Sequence, residues 1–202
     1  MIKSLKTLLD QEKQIKTFLL DAAGVIYTEG IPSDNSKKAI RKLQEVGDVF
    51  IVSNNSFINP TRINQKLLEN GIDIEEDKIL TSGMGLKYDK TLNNYVKDKI
   101  VYIMGKSNSH TYAIDANCKE ITDNLTLADT IVLTGSPNTG GDELINKLST
   151  HLLENPNKPI ICCNPDLVVQ TKTGLKTVLG HYTKQLEEKI NRKAHWFGKP
   201  YE

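Results

Sequence analysis

Short apolar runs alternate along this chain with segments whose apolar positions recur every three or four residues, and that alternation predicts its elements. Leu5, Leu8, Leu9 and Ile15 predict a leading amphipathic helix, and Thr17 to Leu20 a first strand. A second helix is expected from Ser33 or Asp34, with Ala39, Ile40, Leu43 and Val46 on one face and Gly47 as its stop. Val49 to Val52 reads as the second strand. Asn59 before Pro60 is a cap and first-turn pair for a third helix through Ile63, Leu67 and Leu68, ended by Gly71. Beyond Ser82, strands are expected at Ile100 to Met104, Thr130 to Leu133 and Pro159 to Cys163, with helical segments near Met84 to Tyr95 and Glu143 to Leu153. Alternating strands and helices imply an α/β fold with parallel sheets, right-handed crossovers, and ligand sites at the carboxyl ends of strands.

Composition narrows the picture mainly by exclusion. A length of 202 residues allows one large domain or two small ones. No apolar stretch approaches the roughly 18 to 20 residues of a membrane span. Lys3, Lys6, Asp10, Glu12, Lys13 and Lys16 interrupt the first twenty residues, so no secretory leader is read there and a cytoplasmic location is expected. Cys118, Cys162 and Cys163 form neither a disulfide framework nor a CxxC spacing, and read as small buried apolar residues. A net charge of +1 without a basic stripe argues against a nucleic-acid partner. His110, His151, His181 and His195 lack metal-ligand spacing and receive no role. Gly105-Lys106-Ser107 follows a strand as a P-loop would, but Ile100 stands where that motif needs its first glycine, so an ordinary turn is expected.

Three places remain where chemistry fits the expected topology. Asp21 ends the first strand and runs into Ala22-Ala23-Gly24-Val25, which puts a carboxylate above a tight turn; by itself it reads equally as a turn cap. Ser53-Asn54-Asn55 ends the second strand, at the level of Asp21 if the two strands are neighbours. Gly198-Lys199-Pro200 sets a cation in a Gly/Pro-bounded turn, and alone reads as a surface lysine.

Taken in order, a strand-end Asp, a strand-end Ser-Asn and a distant Gly-Lys-Pro resemble the haloacid dehalogenase (HAD) superfamily. The stretches Phe18 to Gly30, Ile51 to Ser56, Asn164-Pro165-Asp166 and Gly198 to Pro200 resemble its class IIA, NagD-like branch. The resemblance implies a Rossmann-like parallel-sheet core over residues 1–81, an inserted α/β cap over 82–175 that selects substrate, and a return to the core over 176–202. It implies hydrolysis of a small phosphorylated metabolite, with Asp21 attacking phosphorus to form an aspartyl-phosphate. Ser53 and Lys199 would hold the phosphoryl oxygens, whose charge a hydroxyl, backbone amides and an ammonium stabilise as bonds rearrange. Gly24, Asn54 and Asn55 would line the phosphate site, and Asn164 and Asp166 would face substrate from a cap loop that also reads as a plain turn. Mg²⁺ would bridge Asp21 and the phosphate, with the main-chain carbonyl of Ala23 as a further ligand.

Two departures from the family pattern change what is expected. The general acid-base carboxylate two residues after the nucleophile is replaced by Ala23, and losing such assistance typically costs about 10² to 10⁴ in rate. The fourth motif, an acidic pair completing the Mg²⁺ site, would lie beyond Glu202; the core is therefore read as incomplete, with its first strand left as an exposed edge. Two readings follow: a HAD-like phosphohydrolase impaired or inactive as this chain, or a non-catalytic remnant or phosphate-binding module. A separate C-terminal HAD fragment, or self-association through the edge, is the expected partner.

Overall fold

The computed structural model describes residues 15–137 and 141–201. The leading helix expected around Leu5, Leu8 and Leu9 lies outside them. Two parallel sheets organise the rest, as the alternation of elements requires.

The first sheet has three strands in the order β1 (Thr17–Asp21), β4 (Asp48–Ser53), β5 (Ile79–Thr81). Between β1 and β4 come a hairpin, β2 (Tyr27–Thr28) with β3 (Ile31–Pro32), and the helix α1 (Asp34–Gln44). The Ser33 side chain accepts from the Ser36 amide at 3.0 Å, capping α1 as expected. Ile40 and Leu43 bury its apolar face, whereas Val46, expected on that face, lies past the helix end and is 46% exposed. Gly47 is required by proximity: a Cβ there would collide with the Lys16 carbonyl, next to the point where β4 joins β1. Helix α2 (Pro60–Glu69) starts at its Asn59 cap, which accepts from Arg62, and buries Ile63 and Leu67. These elements enclose one apolar cluster around Phe18, Ile51, Leu67 and Ile79.

The second sheet has five parallel strands in the order β12 (His195–Trp196), β9 (Ile160–Cys162), β8 (Thr130–Leu133), β6 (Ile100–Met104), β7 (Glu120–Thr122). Helices α3 (Gly85–Tyr88) and α4 (Lys90–Val96) replace the single helix expected at Met84 to Tyr95. Asp89 divides them, because its side chain accepts from the Leu92 amide and so starts a new helix. Helix α5 (His110–Asp115) follows the ordinary turn after Gly105. Two apolar clusters fill the two faces of this sheet, one with α6 (Gly141–Glu154) and one with α3 to α5.

The sequence places the return to the first sheet at residue 176. In the structure, the hairpin β10 (Val168–Thr171) with β11 (Gly174–Thr177) leads into α7 (Leu179–Ile190), which stays with the second sheet. Leu179, Leu186 and Ile190 bury against the α6 side, and β12 then pairs with β9. Buried Glu187 ties the two together, accepting at 2.8 Å from both the Ala194 amide and the Trp196 indole. From Gly198 onward the chain returns to the ends of β1 and β4, where Asp166 already reaches Asn54. No helix among the described residues is long and apolar enough to cross a membrane.

Candidate active site

Parallel pairing of β1 with β4 puts Asp21 opposite Val52, so the carboxyl ends of both strands open at one level, as the sequence implied. Lys199, 178 residues further along, reaches that point and donates from Nζ to Asp21 Oδ1 at 2.6 Å and to the Val52 carbonyl at 2.8 Å. Both charged side chains are about half exposed, at 48% and 43%. Asp21 Oδ1 also accepts from the Ala22 amide at 2.8 Å. Ser53 is buried next to them, and its Oγ accepts from the Asn55 amide at 3.2 Å. Asp21 and Lys199 are thus in contact, and Ser53 directly follows the Val52 whose carbonyl Lys199 also reaches.

The other expected site residues take different positions. Gly24, at φ +82°, makes the tight turn and donates its amide to the Tyr27 carbonyl, so that amide is engaged. Asn55 is turned toward its own loop, where Oδ1 accepts from the Phe57 and Ile58 amides. Its carbonyl accepts from the Ser82 hydroxyl. Asn54 and Asp166 meet each other: Nδ2 of Asn54 donates to Asp166 Oδ1 at 2.8 Å. Asn164 Oδ1 accepts from the Asp166 amide, the turn chemistry its type suggested.

Tyr27 was not singled out by sequence and lies within this group, in the stretch that carries the first motif. Burial raises its phenol pKa, the Asp21 carboxylate raises it further, and a hydrogen bond with Ser53 partly offsets both. Glu29, in the turn between β2 and β3, accepts from the Lys172 amide of the β10–β11 hairpin at 3.1 Å, joining the two hairpins. Neither contact has a signature in spacing.

Among the described residues, the Asp21 contacts fall on Oδ1, which leaves Oδ2 as an oxygen donor. The Ala23 carbonyl accepts no hydrogen bond there, since the turn pairs the Tyr27 amide with Ala22 instead. These are oxygens of the kind Mg²⁺ takes. No group of three His, Cys, Asp or Glu side chains that could hold a metal occurs among the described residues, and the cation Lys199 already occupies the one carboxylate. The residues present do not make a Mg²⁺ site by themselves.

What the cradle can do follows from its charges. The Lys199 ammonium and the Ala22 amide contact one carboxylate, a positive side that suits an anionic group approaching Asp21.

Comparison with known proteins agrees with this geometry. A family model described as haloacid dehalogenase-like hydrolase matches residues 18–119. A dihydroxyacetone phosphatase of Corynebacterium glutamicum is 25% identical over 185 residues, covering 91% of this chain and 64% of that protein. An acid sugar phosphatase of Staphylococcus aureus is 26% identical over 196 residues, covering 93% and 70%. A solved structure of a possible sugar phosphatase of the HAD superfamily from Cytophaga hutchinsonii matches with a TM-score of 0.84 at 26% identity, over 100% of this chain and 72% of that one. A glycerol phosphate phosphatase from Mycobacterium tuberculosis, solved in complex with magnesium, shares the fold at a TM-score of 0.75 and 18% identity, over 91% and 54%. The chain thus spans just under two thirds of the length of the dihydroxyacetone phosphatase it matches. With Asp21 and Lys199 paired at the strand ends where the motifs put them, this chain belongs to the haloacid dehalogenase-like hydrolases.

Proposed function

We propose that Asp21, Ser53 and Lys199 form a phosphoryl-binding cradle for a small phosphorylated metabolite, in a phosphohydrolase whose turnover is impaired by Ala23. The observation that carries this reading is the Lys199 ammonium, fixed between Asp21 and the Val52 carbonyl at the carboxyl ends of β1 and β4. Two relatives, named dihydroxyacetone phosphatase and acid sugar phosphatase, support the substrate class.

In this reading a carboxylate oxygen of Asp21 attacks phosphorus while the Lys199 ammonium offsets the phosphoryl charge. The bond to the leaving oxygen breaks, and that oxygen needs a proton. A methyl group at Ala23 supplies none, nor does it activate the water that would release phosphate from Asp21, so both half-reactions lose their acid-base partner. Mg²⁺, when bound, would supply further charge neutralisation, but it needs oxygens beyond those gathered here. The second reading, a module that binds phosphate without turnover, is favoured by the same alanine.

Assay of the purified chain against p-nitrophenyl phosphate and a panel of sugar phosphates with Mg²⁺, beside Asp21→Asn, separates the readings. Weak turnover that vanishes in Asp21→Asn supports the impaired hydrolase. Phosphate binding without turnover supports the module, and neither binding nor turnover removes both.

A further inference from the structure

We infer that Asn54 and Asp166 are positioning residues that hold Lys199 on Asp21, so that the loop after β9 governs the geometry of the cradle. Asn54 grips the Lys199 backbone from two directions: Oδ1 accepts from the Lys199 amide at 2.8 Å, and Nδ2 donates to the Lys199 carbonyl at 2.9 Å. The same Nδ2 donates to Asp166 Oδ1 at 2.8 Å. Asn54 is buried, so each of these contacts replaces one with water.

Asp166 reinforces the direction of the amide that the Lys199 backbone sets. If the Asn54 amide turned over, its NH₂ would oppose the Lys199 N–H, and its oxygen would oppose both the Lys199 carbonyl and the Asp166 carboxylate. Asp166 is itself fixed, because its amide donates to Asn164 Oδ1 and its carbonyl accepts from the Gly180 amide at the start of α7. The backbone beside it closes the joint. Gly198 sits at φ +104°, and a Cβ on it would lie 2.9 Å from Asn54 Oδ1 and 3.0 Å from both Pro165 and Ser82, so only glycine fits. From that pinned backbone the Lys199 side chain reaches Asp21 and Val52. An unbroken series of hydrogen bonds therefore runs from Asn164 through Asp166, Asn54 and Lys199 to Asp21. With Nδ2 and Oδ1 of Asn54 committed in this way, its contribution to phosphate binding passes through Lys199.

The functional half of this inference rests on the cradle reading above; the positional half does not. The test labels lysines of the intact chain with an amine-acylating ester and quantifies the Lys199 peptide by mass spectrometry. Exposed Lys87 serves as the reference for reagent, and alkylation of buried Cys163 as the sign of unfolding. Asp166→Ala and Asn54→Asp should raise Lys199 labelling about tenfold, as expected for loss of a charge-assisted hydrogen bond, while Asp166→Asn, which keeps an acceptor oxygen, restores the wild-type rate. Unchanged Lys199 labelling in Asp166→Ala and Asn54→Asp, with Cys163 still protected, overturns the inference. Titration with inorganic phosphate completes the test. Asp166→Ala should weaken binding in the wild-type background and have no further effect with Lys199→Ala, since a residue acting through Lys199 is not additive with its loss. A wild-type chain that fails to bind phosphate contradicts the cradle, and the labelling result still decides the positional claim.

Discussion

The three-stranded sheet and the five-stranded sheet are built from the same alternation of strand and helix, yet they expose their strands very differently. Every residue of β8, at the centre of the larger sheet, is buried, and helices cover both faces. In β1, by contrast, Phe18 is buried while Leu19 is 66% exposed and Asp21 stands open to solvent, and among the described residues β4 is its one partner strand. A strand buried on both faces reads as an unbroken apolar run, whereas a partly covered one can place a charge at its end. The larger sheet supplies most of the buried apolar side chains, and the smaller one carries the Asp21 carboxylate at its strand end. Lys199 joins them by leaving the larger sheet at β12 and ending on the smaller.

The largest expected effect tests whether the two sheets stand or fall together. Ile51 and Ile131 are each fully buried, one in each sheet, and truncation to alanine should cost about 2–5 kcal/mol at either site. Buried ties cross between the sheets: the Ser56 hydroxyl donates to the Thr134 carbonyl at 2.6 Å, and the Tyr112 hydroxyl donates to the Ile58 carbonyl at 2.6 Å. Urea unfolding should therefore show one transition shifted by both variants. Two transitions, each moved by only one variant, would break the sheets apart energetically.

A smaller effect is expected from removing one of those ties. Tyr112→Phe leaves the Ile58 carbonyl and Thr81 hydroxyl short of a buried partner and should cost about 1–3 kcal/mol in the same experiment. Burial raises the Tyr112 pKa above its ordinary 10.0. Its contribution is thus present below that pH and lost as pH rises through the higher folded value, so the deficit of Tyr112→Phe should shrink in strong alkali.

Acid should act on the larger sheet. Nε2 of His151 lies 2.9 Å from the Lys158 ammonium, an arrangement that needs the neutral ring as acceptor. Burial and then Lys158 lower the His151 pKa, against an opposing pull from Glu154. Its contribution is therefore present above the ordinary value of 6.5 and lost as pH falls through the lower folded value. Thermal melting should fall less between pH ~7.5 and ~5 in His151→Gln than in the wild type. The least effect belongs to Leu19→Thr, which should change stability by no more than about 0.5 kcal/mol, because that side chain is exposed on β1.

Much of this organisation was legible in the sequence, for physical reasons that also explain the rest. The meeting of Asp21 with Lys199 was legible because strand ends and Gly/Pro turns are local signals whose order along the chain matches a family pattern. Helix α7 gave little periodic signal, since its buried face includes Gly180, Thr183 and Glu187 beside three apolar residues. Strands β7 and β12, with three and two residues, are too short for a period of two to show. Asn54 and Asp166 read individually as phosphate and substrate contacts. That they satisfy each other depends on a meeting across 112 residues, which no spacing rule contains.

The proposed phosphoryl-binding cradle depends on Lys199 held against Asp21 at these strand ends. The most direct measurement is a calorimetric titration of inorganic phosphate into the intact chain and its Lys199→Ala variant. Saturable binding that weakens at least about tenfold in Lys199→Ala is predicted, as expected for loss of a charge-assisted contact to phosphate. No binding by the wild type, or equal affinity in the two, would contradict it.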